Sequence, residues 1–113
     1  LVGTAGALLG ALTLGCKGGI LALANIAPEK CVEIYNLVQE GKIKEARELQ
    51  LRMIPVNHAT TAIYGISGLK YAMDLLGYKG GETRLPLLPL KEEEKDKIRS
   101  ILLEANLKII TNL

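Results

Sequence analysis

Aromatic side chains are scarce in this chain of 113 residues, and its charge is nearly balanced. Phe and Trp are absent, and four Tyr account for the whole aromatic fraction of 4%. Proteins that bind nucleic acids carry clustered basic residues and, for single strands, aromatic rings on which bases stack. With a net charge of only +2, the chain shows neither feature, so the composition argues against a nucleic-acid partner.

Histidine and cysteine are rare too, with one His and two Cys. His58 lies in a helical pattern without a nucleophile motif nearby, and Cys16 and Cys31 have no His or Cys neighbour at ligand spacing. We therefore predict no metal site, no cofactor and no catalytic triad, with His58 as a surface or packing residue. So few cysteines favour a reduced compartment, the cytoplasm or, in a eukaryote, the mitochondrion.

No charged residue occurs from Leu1 to Cys16, which raises the question of a membrane segment. A signal peptide begins with basic residues, and none is present here. A membrane-spanning helix needs about 20 apolar residues, whereas Gly15 and Lys17 interrupt this run. We therefore predict that the segment is buried inside a globular fold and that the protein has no membrane partner.

The uncharged segment has the pattern of a strand, a helix and a second strand. Residues 1–3 read as the end of one buried strand, residues 5–14 as a short helix ended by Gly15, and residues 19–23 as another buried strand. Strands without a polar face are typical of the inside of a parallel barrel. We therefore predict that the chain opens within a larger α/β fold.

The remaining pattern is helical. It predicts helices over residues 28–41, over residues 42–63, over residues 68–76 and over residues 91–105. Pro55 is expected to kink or interrupt the second of these, Ser67 to cap the third, and Gly77 to end it. Glycines and prolines in residues 79–90 predict an extended connector. We thus divide the chain into final β/α units at residues 1–40 and a helical subdomain at residues 41–113.

Five short motifs occur in an order that resembles a known family. They are Gly3-Thr4-Ala5, residues 18–25, Ala46-Arg47, Gly68-Leu69-Lys70 and Arg84-Leu85-Pro86-Leu87. Together they are similar to the C-terminal part of the dihydrodipicolinate synthase and N-acetylneuraminate lyase family. The first motif and residues 74–81 look most like the 4-hydroxy-2-oxoglutarate aldolase branch. Synthases more often carry acidic residues where Thr4 and Ala5 stand.

The resemblance implies a C-terminal fragment of a (β/α)8 TIM barrel, with its last two strands and their helices, followed by a helical subdomain. It implies a homotetrameric, metal-independent class I aldolase or lyase that forms a Schiff base with pyruvate or a related 2-oxo acid. The family's lysine and proton-relay tyrosine lie on earlier strands, so we assign no catalytic residue to this segment. The substrate-binding residues implied are Gly3, where backbone approaches the lysine, and Ile20, through its carbonyl. Thr4 is added by its adjacency.

Other interpretations remain open at this stage. A stand-alone helical interaction module over residues 28–107 is the alternative function. In the aldolase interpretation, Ile20, Leu21 and Leu23 would lose their neighbours in the isolated chain. Lys17 is expected to be exposed, since it precedes a strand, and Lys70 to be a snorkelling or salt-bridged lysine on a helix.

Overall fold

A computed structural model describes residues 1–110, which are mainly helical. The α-helices in chain order are α1 (Leu8–Thr13), α2 (Pro28–Gln39), α3 (Ile43–His58), α4 (Gly65–Leu75) and α5 (Glu92–Glu104). Short 3-10 turns occur at Ala5–Ala7 and Ala22–Asn25, and a π-helical turn at Ala59–Ile63 follows α3. In the described range, no helix is long and apolar enough to cross a membrane.

The two predicted strands are represented by one parallel bridge between Val2 and Gly19. The Val2 amide donates to the Gly18 carbonyl at 2.9 Å, and the Ile20 amide donates to the Val2 carbonyl at 3.0 Å. The prediction of a strand over residues 19–23 is wrong beyond this bridge, because the chain turns into the 3-10 segment Ala22–Asn25. Parallel ladders need neighbouring strands, and among residues 1–110 these two segments pair only with each other.

The predicted helix ends are confirmed at Gly15, Gly41 and Gly77, each of which has a positive φ just past a helix. At the end of α4, the Gly77 amide donates to the Asp74 carbonyl and the Tyr78 amide to the Met73 carbonyl. This pair of bonds is the Schellman motif, which needs a left-handed residue and so favours glycine. The C-terminal ends of these three helices could therefore be predicted from the positions of glycine in the sequence.

Pro55 was predicted to kink or interrupt α3, and it does not interrupt the helix, which continues to His58. Ser67 does not cap α4 either, since this helix already begins at Gly65, and the Ser67 hydroxyl instead donates to the Leu88 carbonyl at 2.7 Å.

The hydrophobic core joins the N-terminal segment to the helices. Its fully buried side chains come from the 3-10 turn Ala22–Asn25 and from α2 to α5, and include Leu23, Ile34, Met53, Leu75, Ile98 and Leu102. Leu23 is completely buried against this cluster, so the expectation that it loses its neighbours is wrong. Ile20, in contrast, is 75% exposed. Leu1, beside the bridge, is likewise 80% exposed.

The apolar residues of α2 and α3 are only partly buried. Cys31 and Ile34 on α2 are buried, whereas Val32 is 57% exposed. On α3, Ala46, Leu49 and Met53 are buried, but Ile43 and Ile54 lie outside the core. The buried face of α3 is completed by Val56 and by two amides, Gln50 and Asn57.

Gln50 ties α3 to the N-terminal turn. Its side-chain nitrogen donates to the Ala5 carbonyl at 2.9 Å, and its side-chain oxygen accepts from the Leu9 amide at 2.8 Å. Leu9 lies in the first turn of α1, where backbone amides have no partner within the helix. A single buried side chain thus satisfies the Leu9 amide and adds a second donor to the Ala5 carbonyl, which also accepts from the Leu8 amide.

The predicted connector, residues 79–90, has no regular helix or strand and is fastened to α4. The Lys70 ammonium donates to the carbonyls of Gly80 and Glu82, both at 3.2 Å. Asp74 accepts from the Gly80 amide at 2.7 Å. Lys70 therefore holds the connector against α4. The two segments are so close that a Cβ at Gly80 would overlap the Lys70 carbonyl.

Replacing Gln50 by Leu should destabilise the chain, because the Leu9 amide would lose its partner and the Ala5 carbonyl would lose one of its two donors. We expect a loss of about 2 kcal/mol or more in the free energy of unfolding, measured by urea denaturation. Hydrogen exchange at the Leu9 amide should accelerate as well. Gln39→Leu, at the exposed end of α2, is the matched control and should change stability by less than about 0.5 kcal/mol. Equal effects of the two variants would contradict the assignment.

Replacing Gly80 by Ala should also destabilise the chain, since the new methyl group meets the Lys70 backbone, which cannot move without disturbing α4. A cost of about 1–3 kcal/mol in urea unfolding is expected. In the control Gly10→Ala, the added methyl group meets nothing within 4 Å and lies in α1, where alanine is favoured over glycine. The control should be neutral or stabilising, and a neutral Gly80→Ala would show that the connector is not held as described.

Candidate functional site at the parallel bridge

The bridge places the three predicted substrate-binding residues at one end of the paired segments. Gly3 and Thr4 follow Val2, and Ile20 follows Gly19, so they leave the parallel bridge in the same direction. Gly3, Thr4 and the side chain of Ile20 are all exposed. Whether these residues contact a substrate stays a prediction, but their juxtaposition is a property of the structure.

Gly19 makes the bridge possible. A Cβ at this position would lie 2.9 Å from the Val2 Cγ1 atom and 3.0 Å from the Val2 carbonyl oxygen. A larger residue would therefore require Val2 to shift at the bridge.

Gly3 has a different environment. A Cβ built on Gly3 meets nothing within 4 Å, and its φ lies outside the left-handed region. Neither the backbone conformation nor a neighbour among the described residues requires glycine here. The open side of Gly3 is therefore available to groups outside these residues.

The Thr4 hydroxyl is engaged within the chain. Its oxygen accepts from the Gly6 amide at 3.3 Å, which caps the 3-10 turn Ala5–Ala7, and from the Asn57 side-chain nitrogen at 3.3 Å. The extended backbone of Thr4, with φ −139° and ψ 134°, is typical of a residue that starts a turn in this way. Two donors therefore fix the position of this oxygen.

Asn57 was missed by the sequence analysis, although a signal was present. Gln50 and Asn57 are seven residues apart and interrupt the apolar face formed by Leu49, Met53 and Val56. Residues seven apart lie on the same side of a helix, so two amides in an apolar stripe indicate buried backbone groups to be satisfied. Asn57 is only 7% exposed, and it brings α3 to the predicted site.

Among the remaining chemistry-bearing residues, the Cys16 thiol lies beside the bridge and donates to the Gly18 carbonyl at 3.2 Å. His58 and Lys17 are exposed, as predicted. Burial raises the pKa of the Cys31 thiol, with a smaller contribution from Glu29, which lowers its nucleophilicity at neutral pH. Among residues 1–110, no group of three or more His, Cys, Asp or Glu side chains could hold a metal ion.

A second concave surface lies between α4 and the connector, with a volume of about 360 Å³. Lys70, Tyr71 and Asp74 line one side of it, and Lys95 sits over the Tyr71 ring at 5.6 Å from the centroid. The Lys70 ammonium in this cleft already binds two connector carbonyls. We therefore interpret the cleft as the place where the connector is attached to α4, and not as a binding site.

Comparison with known proteins identifies the family. The family model described as the dihydrodipicolinate synthetase family matches residues 1–105. The 4-hydroxy-tetrahydrodipicolinate synthase of Gluconacetobacter diazotrophicus is 36% identical over 107 residues, which cover 95% of this chain and 36% of that protein. The synthase of Methanococcus aeolicus is 36% identical over 96 residues, 85% of this chain and 33% of that protein. The chain thus spans about a third of the length of these relatives.

Solved structures agree. A dihydrodipicolinate synthase-like protein from Thermus thermophilus superimposes with a TM-score of 0.79 at 35% identity, over 93% of this chain and 38% of its own. The 2-keto-3-deoxygluconate aldolase of Sulfolobus solfataricus, in complex with L-2-keto,3-deoxy-galactonate, gives a TM-score of 0.81 at 28% identity, over 92% of this chain and 36% of its own. These neighbours are TIM barrels of lyases and aldolases. The chain belongs to the dihydrodipicolinate synthetase family.

Proposed function

We propose that this chain is the C-terminal part of a Schiff-base-forming class I aldolase or lyase that acts on 2-oxo acids. Residues 1–40 would supply the last two β/α units of a (β/α)8 barrel, and residues 41–113 a helical subdomain, of which residues 111–113 lie outside the described range. The observation that carries the proposal is the parallel bridge, which brings Gly3, Thr4 and Ile20 to one end. Active sites of such barrels lie at the carboxyl ends of their strands.

The proposed chemistry begins outside this segment. A lysine amine of the barrel attacks the ketone carbon of the 2-oxo acid, and loss of one water gives an iminium ion. The iminium takes up the electron pair when a carbon–carbon bond breaks, and returns it when one forms. A tyrosine relays the protons between these steps. Both residues belong to earlier strands in the family, so the segment alone would be inactive.

This segment would form one wall of the pocket. The open side of Gly3 leaves room for the lysine and the bound keto acid, in keeping with the lack of any neighbour there among the described residues. The Ile20 carbonyl would face the same space from the last strand. Exposed apolar side chains near the bridge, such as Leu1 and Ile20, would be covered by the rest of the barrel and by other copies in a homotetramer.

The absence of acidic side chains at Thr4 and Ala5 favours the 4-hydroxy-2-oxoglutarate aldolase branch over the synthase. Ala5 is 2% exposed, so a carboxylate at this position would be buried beside the Gln50 amide. A neutral wall suits a substrate with two carboxylates, because an acidic wall would repel it. The curated relatives named above are synthases, so synthase activity is the second candidate for this chain.

The alternative of a stand-alone helical module has less support. Leu23 and Leu8 lie in the same core as Met53 and Ile98. A module starting after Asn25 would lose these N-terminal side chains, and the apolar surfaces they cover on the helices would be exposed. The cytoplasmic location predicted for the protein stays a prediction under either function.

Borohydride trapping of pyruvate tests the proposed function. The full chain is joined to the N-terminal two thirds of the Gluconacetobacter synthase, the part that it does not match. We expect borohydride to reduce the iminium and leave one pyruvate-derived adduct on a lysine of the added part, detected by mass spectrometry. The chain alone and the added part alone are the controls and should form none. A chimera that does not fold, or folds without an adduct, contradicts the proposal.

Enlarging Gly3 tests its place in the pocket. Gly3→Leu should lower adduct formation in the chimera by about tenfold or more, because the new side chain would fill the space of the keto acid. The substitution meets no neighbour among the described residues, so the thermal unfolding midpoint of the unjoined chain should be unchanged. Gly10→Ala is the matched control and should leave adduct formation intact. Full adduct formation by Gly3→Leu would remove Gly3 from the site.

A further inference from the structure

The hydrogen bonds of Thr4 leave its hydroxyl with one remaining capacity. A hydroxyl has one hydrogen to donate and two lone pairs with which to accept. The lone pairs of Thr4 Oγ1 face the Gly6 amide and the Asn57 side-chain nitrogen, both at 3.3 Å. Neither of these groups can accept a hydrogen bond from Thr4 through the same nitrogen. The hydroxyl hydrogen is therefore left to donate to a third group.

Asn57 is held firmly enough to impose this arrangement. Its side chain is buried on α3, and its nitrogen lies 3.4 Å from the position of a Cβ on Gly6, which is van der Waals contact distance. Its backbone carbonyl accepts from the Thr61 hydroxyl at 2.6 Å, where α3 passes into the π-helical turn. Seven residues earlier, about two helical turns away, Gln50 binds the Ala5 carbonyl and the Leu9 amide of the same N-terminal segment.

We propose that Asn57 is a positioning residue that makes the Thr4 hydroxyl a hydrogen-bond donor to an acceptor oxygen of the bound 2-oxo acid. This inference rests on the proposed function, since it places the substrate beside Thr4. Asn57 itself does not touch the substrate. A helix of the C-terminal subdomain would thus set the polarity of a group on the pocket wall.

The proposal depends on which partner donates in the hydrogen bond between Asn57 and Thr4. The substitution Asn57→Asp reverses the direction of this hydrogen bond. The new carboxylate can only accept, so the Thr4 hydrogen would turn toward it and be withdrawn from the substrate. Thr4→Val removes the hydroxyl at nearly constant shape, and Thr4→Ser keeps it. These three changes separate the donor function of Thr4 from its packing.

The experiment measures half-saturation by pyruvate in the borohydride assay of the chimera at pH 8, together with the maximal adduct yield and the melting temperature. We expect Asn57→Asp and Thr4→Val each to raise the half-saturating concentration about tenfold, with the yield at saturation preserved. Thr4→Ser should stay near the unmodified chimera. The double variant should show no rise beyond either single change, since both remove the same bond.

Three outcomes would overturn the inference. An unchanged half-saturation in Thr4→Val would mean that the hydroxyl does not bind the substrate. A rise in Thr4→Val without one in Asn57→Asp would mean that Asn57 does not orient it. Additive effects in the double variant would assign Asn57 a structural role alone. If the unmodified chimera forms no adduct at all, the proposed function itself fails, and this inference fails with it.

Discussion

Two buried amide side chains on one helix hold the turn on which the candidate site depends. Gln50 satisfies a carbonyl and an amide on either side of the turn, and Asn57 donates to the hydroxyl at its start. Buried backbone groups without partners are costly, so these two amides of α3 stabilise the turn where it packs against the helix. The position of Gly3 and Thr4 therefore follows from the packing of α3 as much as from the parallel bridge.

Local rules were sufficient to predict where three helices end. Glycine at the C′ position is favoured by backbone geometry alone, which is why the stops at Gly15, Gly41 and Gly77 could be read directly. The start of α5 is also stabilised locally, since the Lys91 amide donates to the Glu94 carboxylate at 2.8 Å. Motif order, read as a resemblance, predicted the family that the comparisons show.

Predictions that depend on the tertiary environment failed. Pro55 does not end α3, because tertiary packing can override the local preference of a proline. Ser67 has the residue type of a cap, but its hydroxyl binds the connector 21 residues away. Leu23 was expected to lack cover because its helical neighbours could not be placed from the sequence. The roles of Gln50 and Asn57 were hidden for the same reason, although their spacing within an apolar stripe was visible.

The same contrast bears on how the pocket wall could change its chemistry without a change of fold. The bridge is tight at Gly19, and the Gln50 amide binds the turn, so these positions have little freedom. Gly3 is not restricted by any described neighbour, and Thr4 is exposed although its hydroxyl is bound by Asn57. Under the proposed function, substrate preference would therefore vary at the surface of the wall while α3 keeps the backbone beneath it in place. Such a separation of a fixed support from a variable surface would allow one fold to serve several 2-oxo acids.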